Sequence, residues 1–94
     1  MGRDTRPDWL RGIEIMSREP TPRQGQLLAY VYWYTKIHRI PPSESEIAEF
    51  MGVYGPSVHR MILLLEAKGY LSRRPGEPRT LRVLLPPEQV PDID

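Results

Sequence analysis

A mainly helical domain closed by a small β-hairpin is the fold class this sequence predicts: three core helices, a two-stranded ribbon, and an extra helix ahead of them. Three observations carry the expectation. Rigid Pro/Gly turns at Pro20-Thr21-Pro22, Pro41-Pro42 and Gly55-Pro56 cut the chain into short amphipathic stretches. Up to Gly69 their apolar residues recur at helical spacing, and after Pro78 they alternate as in a strand. A chain of 94 residues also has room for one small core, against a yardstick of about 150 residues per domain.

Residues 1–20 form an N-terminal extension. Trp9, Leu10, Ile13 and Met16 stand at i, i+1, i+4 and i+7, which predicts the extra helix despite Gly12. The first core helix is predicted over residues 22–38. Thr21 supplies an N-cap hydroxyl, Pro22 suits the first helical position, and Gln24 completes a capping box. Leu27, Leu28, Val31, Tyr34 and His38 then mark its inner face. Ser43-Glu44-Ser45-Glu46 is a second capping box, opening a short helix through Ile47, Ala48, Phe50 and Met51 to Gly52.

The third helix is expected from about Pro56 to Gly69. At about 100° per residue, Val58, Met61, Ile62 and Leu65 share one side, while Arg60, Leu63, Leu64 and Ala67 fall opposite. Beyond Gly69, Tyr70–Arg74 and Arg79–Leu84 flank Pro75-Gly76-Glu77-Pro78, so a hairpin is expected, with Leu81 and Val83 alternating against Thr80 and Arg82. Three helices followed by such a ribbon, over residues 21–84, describe a winged helix-turn-helix. Residues 85–94 are a proline-rich acidic tail, which cannot extend a strand ladder past Pro86-Pro87. An extended or disordered tail and a docked one are both compatible with its sequence.

Several function classes fall away. Without cysteine there are no disulfides, thiolate metal sites or cysteine nucleophiles. His38 and His59 have no ligand-like spacing, so neither a metal nor a cofactor is expected, and no small-molecule site is evident. No acid/base pair or phosphate loop points to an enzyme. The longest apolar run, Met61–Leu65, is far short of the about 20 residues that span a bilayer. No signal core precedes it. A cytoplasmic protein is therefore expected, nucleoid-associated in a bacterium, archaeon or phage.

Net charge is +1, but it is unevenly placed. Residues 1–20 carry four arginines against four acids. Residues 21–84 carry nine Lys/Arg against five Asp/Glu, leaving +4, and the tail carries three acids alone. A basic centre hints at a polyanionic partner, although charge alone suits a mixed solvated surface better.

Thr21-Pro22-Arg23-Gln24, Pro41-Pro42-Ser43, Glu46-Ile47-Ala48, Gly52, Val58-His59-Arg60, Leu65–Leu71 and Pro78-Arg79 before Leu81-Arg82-Val83 together resemble the N-terminal DNA-binding domain of LexA repressors. The likeness covers about two thirds of the chain, in one order and spacing. It implies that the second and third helices form the helix-turn-helix, with the third in the major groove and the wing beside the phosphates. Departures are visible too. The turn after Gly52 is one residue shorter than usual, and Arg39 replaces a common glycine. Tyr32, Trp33, Leu63 and Leu64 stand where relatives have polar or small residues. The family's self-cleaving domain is not part of these 94 residues, so no self-cleaving switch is expected of them alone.

The resemblance nominates Ser57, His59 and Arg60 for base contacts. Arg60 is the strongest, since a guanidinium can bridge guanine O6 and N7. His59 suits a phosphate or the domain edge equally. For phosphate contact the candidates are Arg73, Arg74, Arg79 and Arg82 on the wing, Arg23 and Gln24 at the first helix start, and Ser43, whose plainest role is capping. Tyr30, Trp33 and Ile37 form a second apolar face on the first helix. With Trp9, Leu10, Ile13 and Met16 they suit either an enlarged core or a homodimer. The expected function is sequence-specific binding of double-stranded DNA by a transcriptional regulator, most simply a repressor. The alternative is a winged-helix protein-interaction module, with a protein partner on Tyr32, Trp33, Leu63 and Leu64.

Overall fold

The computed structural model describes residues 20–93. Among them are three helices: α1 (Pro22–His38), α2 (Glu44–Met51) and α3 (Gly55–Ala67). Two short strands follow, β1 (Leu71–Ser72) and β2 (Arg82–Val83). Three helices and a two-stranded hairpin in this order make a winged helix-turn-helix. The helix expected over Trp9, Leu10, Ile13 and Met16 lies outside the described residues.

Local chemistry sets each start and stop. The Thr21 hydroxyl accepts the Gln24 N–H at 3.2 Å, and Gln24 Oε1 accepts the Thr21 N–H at 3.0 Å, closing the capping box of α1. Ser43 and Glu46 repeat the arrangement at α2. Helix α1 ends in a left-handed cap at Arg39, with φ 62°, whose N–H reaches the Thr35 carbonyl at 2.8 Å. The left-handed turn therefore forms without glycine, at a steric cost of about 1–2 kcal/mol. Gly52 (φ 66°) ends α2, and the Val53 N–H reaches back to the Ala48 carbonyl. Only Val53 and Tyr54 separate Gly52 from the first residue of α3.

Leu27, Leu28 and Val31 of α1, Ile47 of α2, and Val58, Ile62 and Leu65 of α3 form the core with Tyr70, Leu71 and Leu81 from the hairpin. The inner faces read from the sequence are largely these, with three adjustments. Tyr34 is half-buried and outside the core. Met61 is half-buried rather than central. His38 is exposed, its ring 4.2 Å from that of Tyr34.

The hairpin is shorter than the alternation suggests. Leu71 pairs with Val83 and Ser72 with Arg82, and the Leu84 N–H bonds the Tyr70 carbonyl at 2.9 Å. Beyond Ser72 and Arg82 the ladder stops, and the loop that follows holds Pro75 and Pro78, which have no N–H to donate, and a left-handed Arg79 (φ 57°). The Thr80 hydroxyl closes the loop instead, accepting the Arg74 N–H and donating to the Glu77 carbonyl, each at 3.0 Å.

The tail turns back onto the domain. Leu85 packs against the core, and residues 87–89 make one turn of 3-10 helix. Pro91 then lies so close to Gly25 that a Cβ there would sit 3.0 Å from its Cγ. The Gln26 side-chain amide donates to the Asp92 carbonyl at 3.1 Å. Absence of a side chain on Gly25 is what lets the tail approach α1.

Candidate nucleic-acid interface

Burying Val58, Ile62 and Leu65 turns the opposite side of α3 outward. Ser57, His59 and Arg60 are all exposed there, beside Leu63 and Leu64. Arg60 has no hydrogen-bond or ion-pair partner among the described residues. His59 is engaged: its Nδ1 lies 3.1 Å from Glu44 Oε1 at the start of α2. That pair ties the two helices together at the mouth of a groove walled by Pro42–Ser45, His59 and the wing loop.

The wing arginines divide by partner. Arg73 Nε donates to Glu66 Oε1 at 2.7 Å, and both side chains are largely covered, so this pair fastens β1 to α3. Arg79 turns inward to Glu46, and its guanidinium also donates to the Pro41 carbonyl at 3.3 Å. Arg74 is highly exposed and meets Glu77 at 3.3 Å, a solvated pair worth little. Arg82 is exposed without a side-chain partner among the described residues.

Two of the other phosphate candidates prove to be spent within the fold. Gln24 is 6% exposed, with its Oε1 shared between the Thr21 N–H and the Lys68 ammonium at 3.4 Å. Burial between these two partners removes it from the outward set. The Ser43 hydroxyl accepts the Glu46 N–H and donates to Glu46 Oε1, so capping uses it fully. Arg23 stays exposed, near Phe50 and Met51 at the end of α2.

Glu46 is the residue that sequence reasoning missed. Beyond its capping role, its carboxylate accepts the Tyr34 hydroxyl at 2.6 Å and holds Arg79. The Tyr34 hydrogen bond, then those from Ser43, then the Arg79 charge bring its pKa down from 4.5 to about 2, despite an opposing contribution from burial. Contact with the Tyr34 hydroxyl, and then with the Glu46 carboxylate, raises the Arg79 pKa against an opposing contribution from burial.

The second apolar face of α1 is split. Tyr30 stacks on Phe50, centroids 4.2 Å apart and 8° from parallel, and packs on the core. Trp33 and Ile37 remain exposed, Ile37 at 71%. Among the described residues no group of three metal-binding side chains converges, and no helix is long and apolar enough to cross a membrane.

The family model described as LexA DNA binding domain matches residues 17–80. The chain is 37% identical over 93 residues to a LexA repressor of Frankia alni, covering 90% of this chain and 37% of that protein. A LexA repressor of Nocardioides sp. is 42% identical over 67 residues, covering 70% and 27% respectively. One of Shouchella clausii is 43% identical over 63 residues, covering 66% and 30%. The chain thus spans about a third of the length of these relatives.

Proposed function

Because the chain belongs to the LexA DNA-binding domain family, we propose that it is a sequence-specific double-stranded DNA-binding regulator acting as a repressor. The observation that carries this reading is the outward face of α3, where Arg60 stands exposed beside Ser57 and His59. In the major groove, Arg60 would read guanine through O6 and N7, and Ser57 is small enough for close approach. His59 would reach DNA only from its contact with Glu44, which assigns it a positioning role first. Arg74 and Arg82, with Arg23 at the start of α1, supply the phosphate contacts. Arg73 and Arg79 instead hold the wing in place to present them.

Repression would follow from occupying an operator in the cytoplasm, where polymerase must bind. Such operators are usually read by dimers, because one small module seldom binds both tightly and specifically. The exposed Trp33 and Ile37 support a homodimer formed through α1.

The test is selection of bound duplexes from a randomised pool, with the wild type and Arg60→Ala in parallel. A defined site that loses preference at one guanine position in the variant supports the reading. Enrichment of no sequence by the wild type overturns it. A protein-interaction role would then be favoured, and Leu63 and Leu64 on the same face support that second reading.

A further inference from the structure

A groove lies between α1 and the hairpin, lined along β2 by Leu81, Arg82 and Val83. Its lining is apolar at the base, with Val31, Leu81 and Val83, and it is flanked by Tyr32 and Thr35. Lys36, Arg74 and Arg82 stand along it, and Arg79 reaches its end. Among the described residues no carboxylate lines it. Lys36 is exposed, with its ammonium 5.6 and 5.4 Å from the centroids of the Tyr32 and Trp33 rings. Its volume of about 510 Å³ is in the usual range for a binding site, about 300–1,000 Å³.

The Leu84 N–H donates to the Tyr70 carbonyl, so with Leu71 opposite Val83 the hydrogen-bonded positions are 70 with 84 and 72 with 82. By the alternation of an antiparallel ladder, the N–H and C=O of Val83 point away from β1. No hydrogen bond within the described residues satisfies them. An edge strand of this kind is a template for another strand.

We propose that this groove docks an extended acidic segment of a partner protein, which adds to β2 as a third strand. Its main chain pairs with Val83, alternate apolar side chains enter the floor over Val31 and Leu81, and its carboxylates meet Arg74, Arg82 and Lys36. A second copy of this chain fits poorly, since its own Arg74 and Arg82 would bring like charges to the same edge. Nucleic acid has no strand-spaced amides for Val83 and no side chains for the floor. The proposal does not depend on the DNA reading, and its test is made without DNA.

The full chain is titrated, by amide chemical shifts, with a short capped peptide alternating valine and glutamate. Controls are the valine–lysine peptide and a valine–glutamate peptide N-methylated at alternate amides. Saturable shifts at residues 31–36 and 80–84 are expected, with protection of the Val83 amide from exchange. Affinity should fall at least about tenfold for either control and for the Lys36→Glu/Arg82→Glu variant, whose unchanged spectrum elsewhere verifies folding. No saturable shift up to about 1 mM peptide overturns the proposal. So does equal binding of the lysine or N-methylated peptide, or a response centred on α3.

Discussion

Arg79, on the wing loop, reaches across to Glu46 on the second helix, and their ion pair joins the hairpin to the helix-turn-helix. Tyr34 of α1 donates to the other oxygen of the same carboxylate. One acid therefore links α1, α2 and the wing, while also capping its own helix.

This arrangement makes stability depend on acid pH. The Glu46 pKa is about 2 in the folded protein against an ordinary 4.5. A depressed carboxylate stabilises fully above its unfolded pKa and loses that contribution as protons bind to the folded state. Wild-type stability should fall as pH drops from 4.5 towards 2. Glu46→Gln, which keeps the capping-box shape but not the charge, should show a flatter profile there. Thermal melts of both proteins across the window check this.

Arg39 offers a gain. It is exposed, with φ 62°, and among the described residues its side chain has no hydrogen-bond or ion-pair partner to offset that conformation. Arg39→Gly should raise stability by about 1 kcal/mol, which in a domain this small is about 4–8 °C in Tm. Calorimetry of the two proteins measures it.

The two sides of α3 should answer differently to truncation. Ile62→Ala, at a fully buried site, should cost about 2–5 kcal/mol, a large share of a total of about 5–15 kcal/mol. Leu63→Ala, one position on and 44% exposed, should stay within about 0.5 kcal/mol. Urea unfolding of the pair tests whether α3 is oriented as described.

Much of this was legible in the sequence because it rests on local rules. Thr21-Pro22-Arg23-Gln24 and Ser43–Glu46 announce helix starts, and Val58, Ile62 and Leu65 announce a buried side. What was not legible depends on contacts between distant residues. Arg73, Arg74, Arg79 and Arg82 look equivalent on paper, yet Glu66 takes the first and Glu46 the third. Gln24 looked available until Lys68, far along the chain, closed over it. The tail's return depends on Gly25 leaving room for Pro91, a fit that neither segment reveals by itself.

Self-association should centre on Trp33 and Ile37. Sedimentation at high micromolar concentration should show a dimer that Trp33→Glu dissociates, without loss of helical signal. A monomer of 10.9 kDa under those conditions would remove the homodimer from the account.

The central claim is that α3 and the exposed wing arginines bind duplex DNA. It is tested most directly by anisotropy titration of a random duplex pool across several salt concentrations, with wild type, Arg60→Ala and Arg74→Ala/Arg82→Ala. Wild-type affinity should fall steeply with salt, and the double variant should lower the log–log slope by about 0.9 per lost phosphate contact. Arg60→Ala should keep most of this non-specific binding. Absence of binding at low salt, or binding indifferent to both salt and the arginines, would contradict the account.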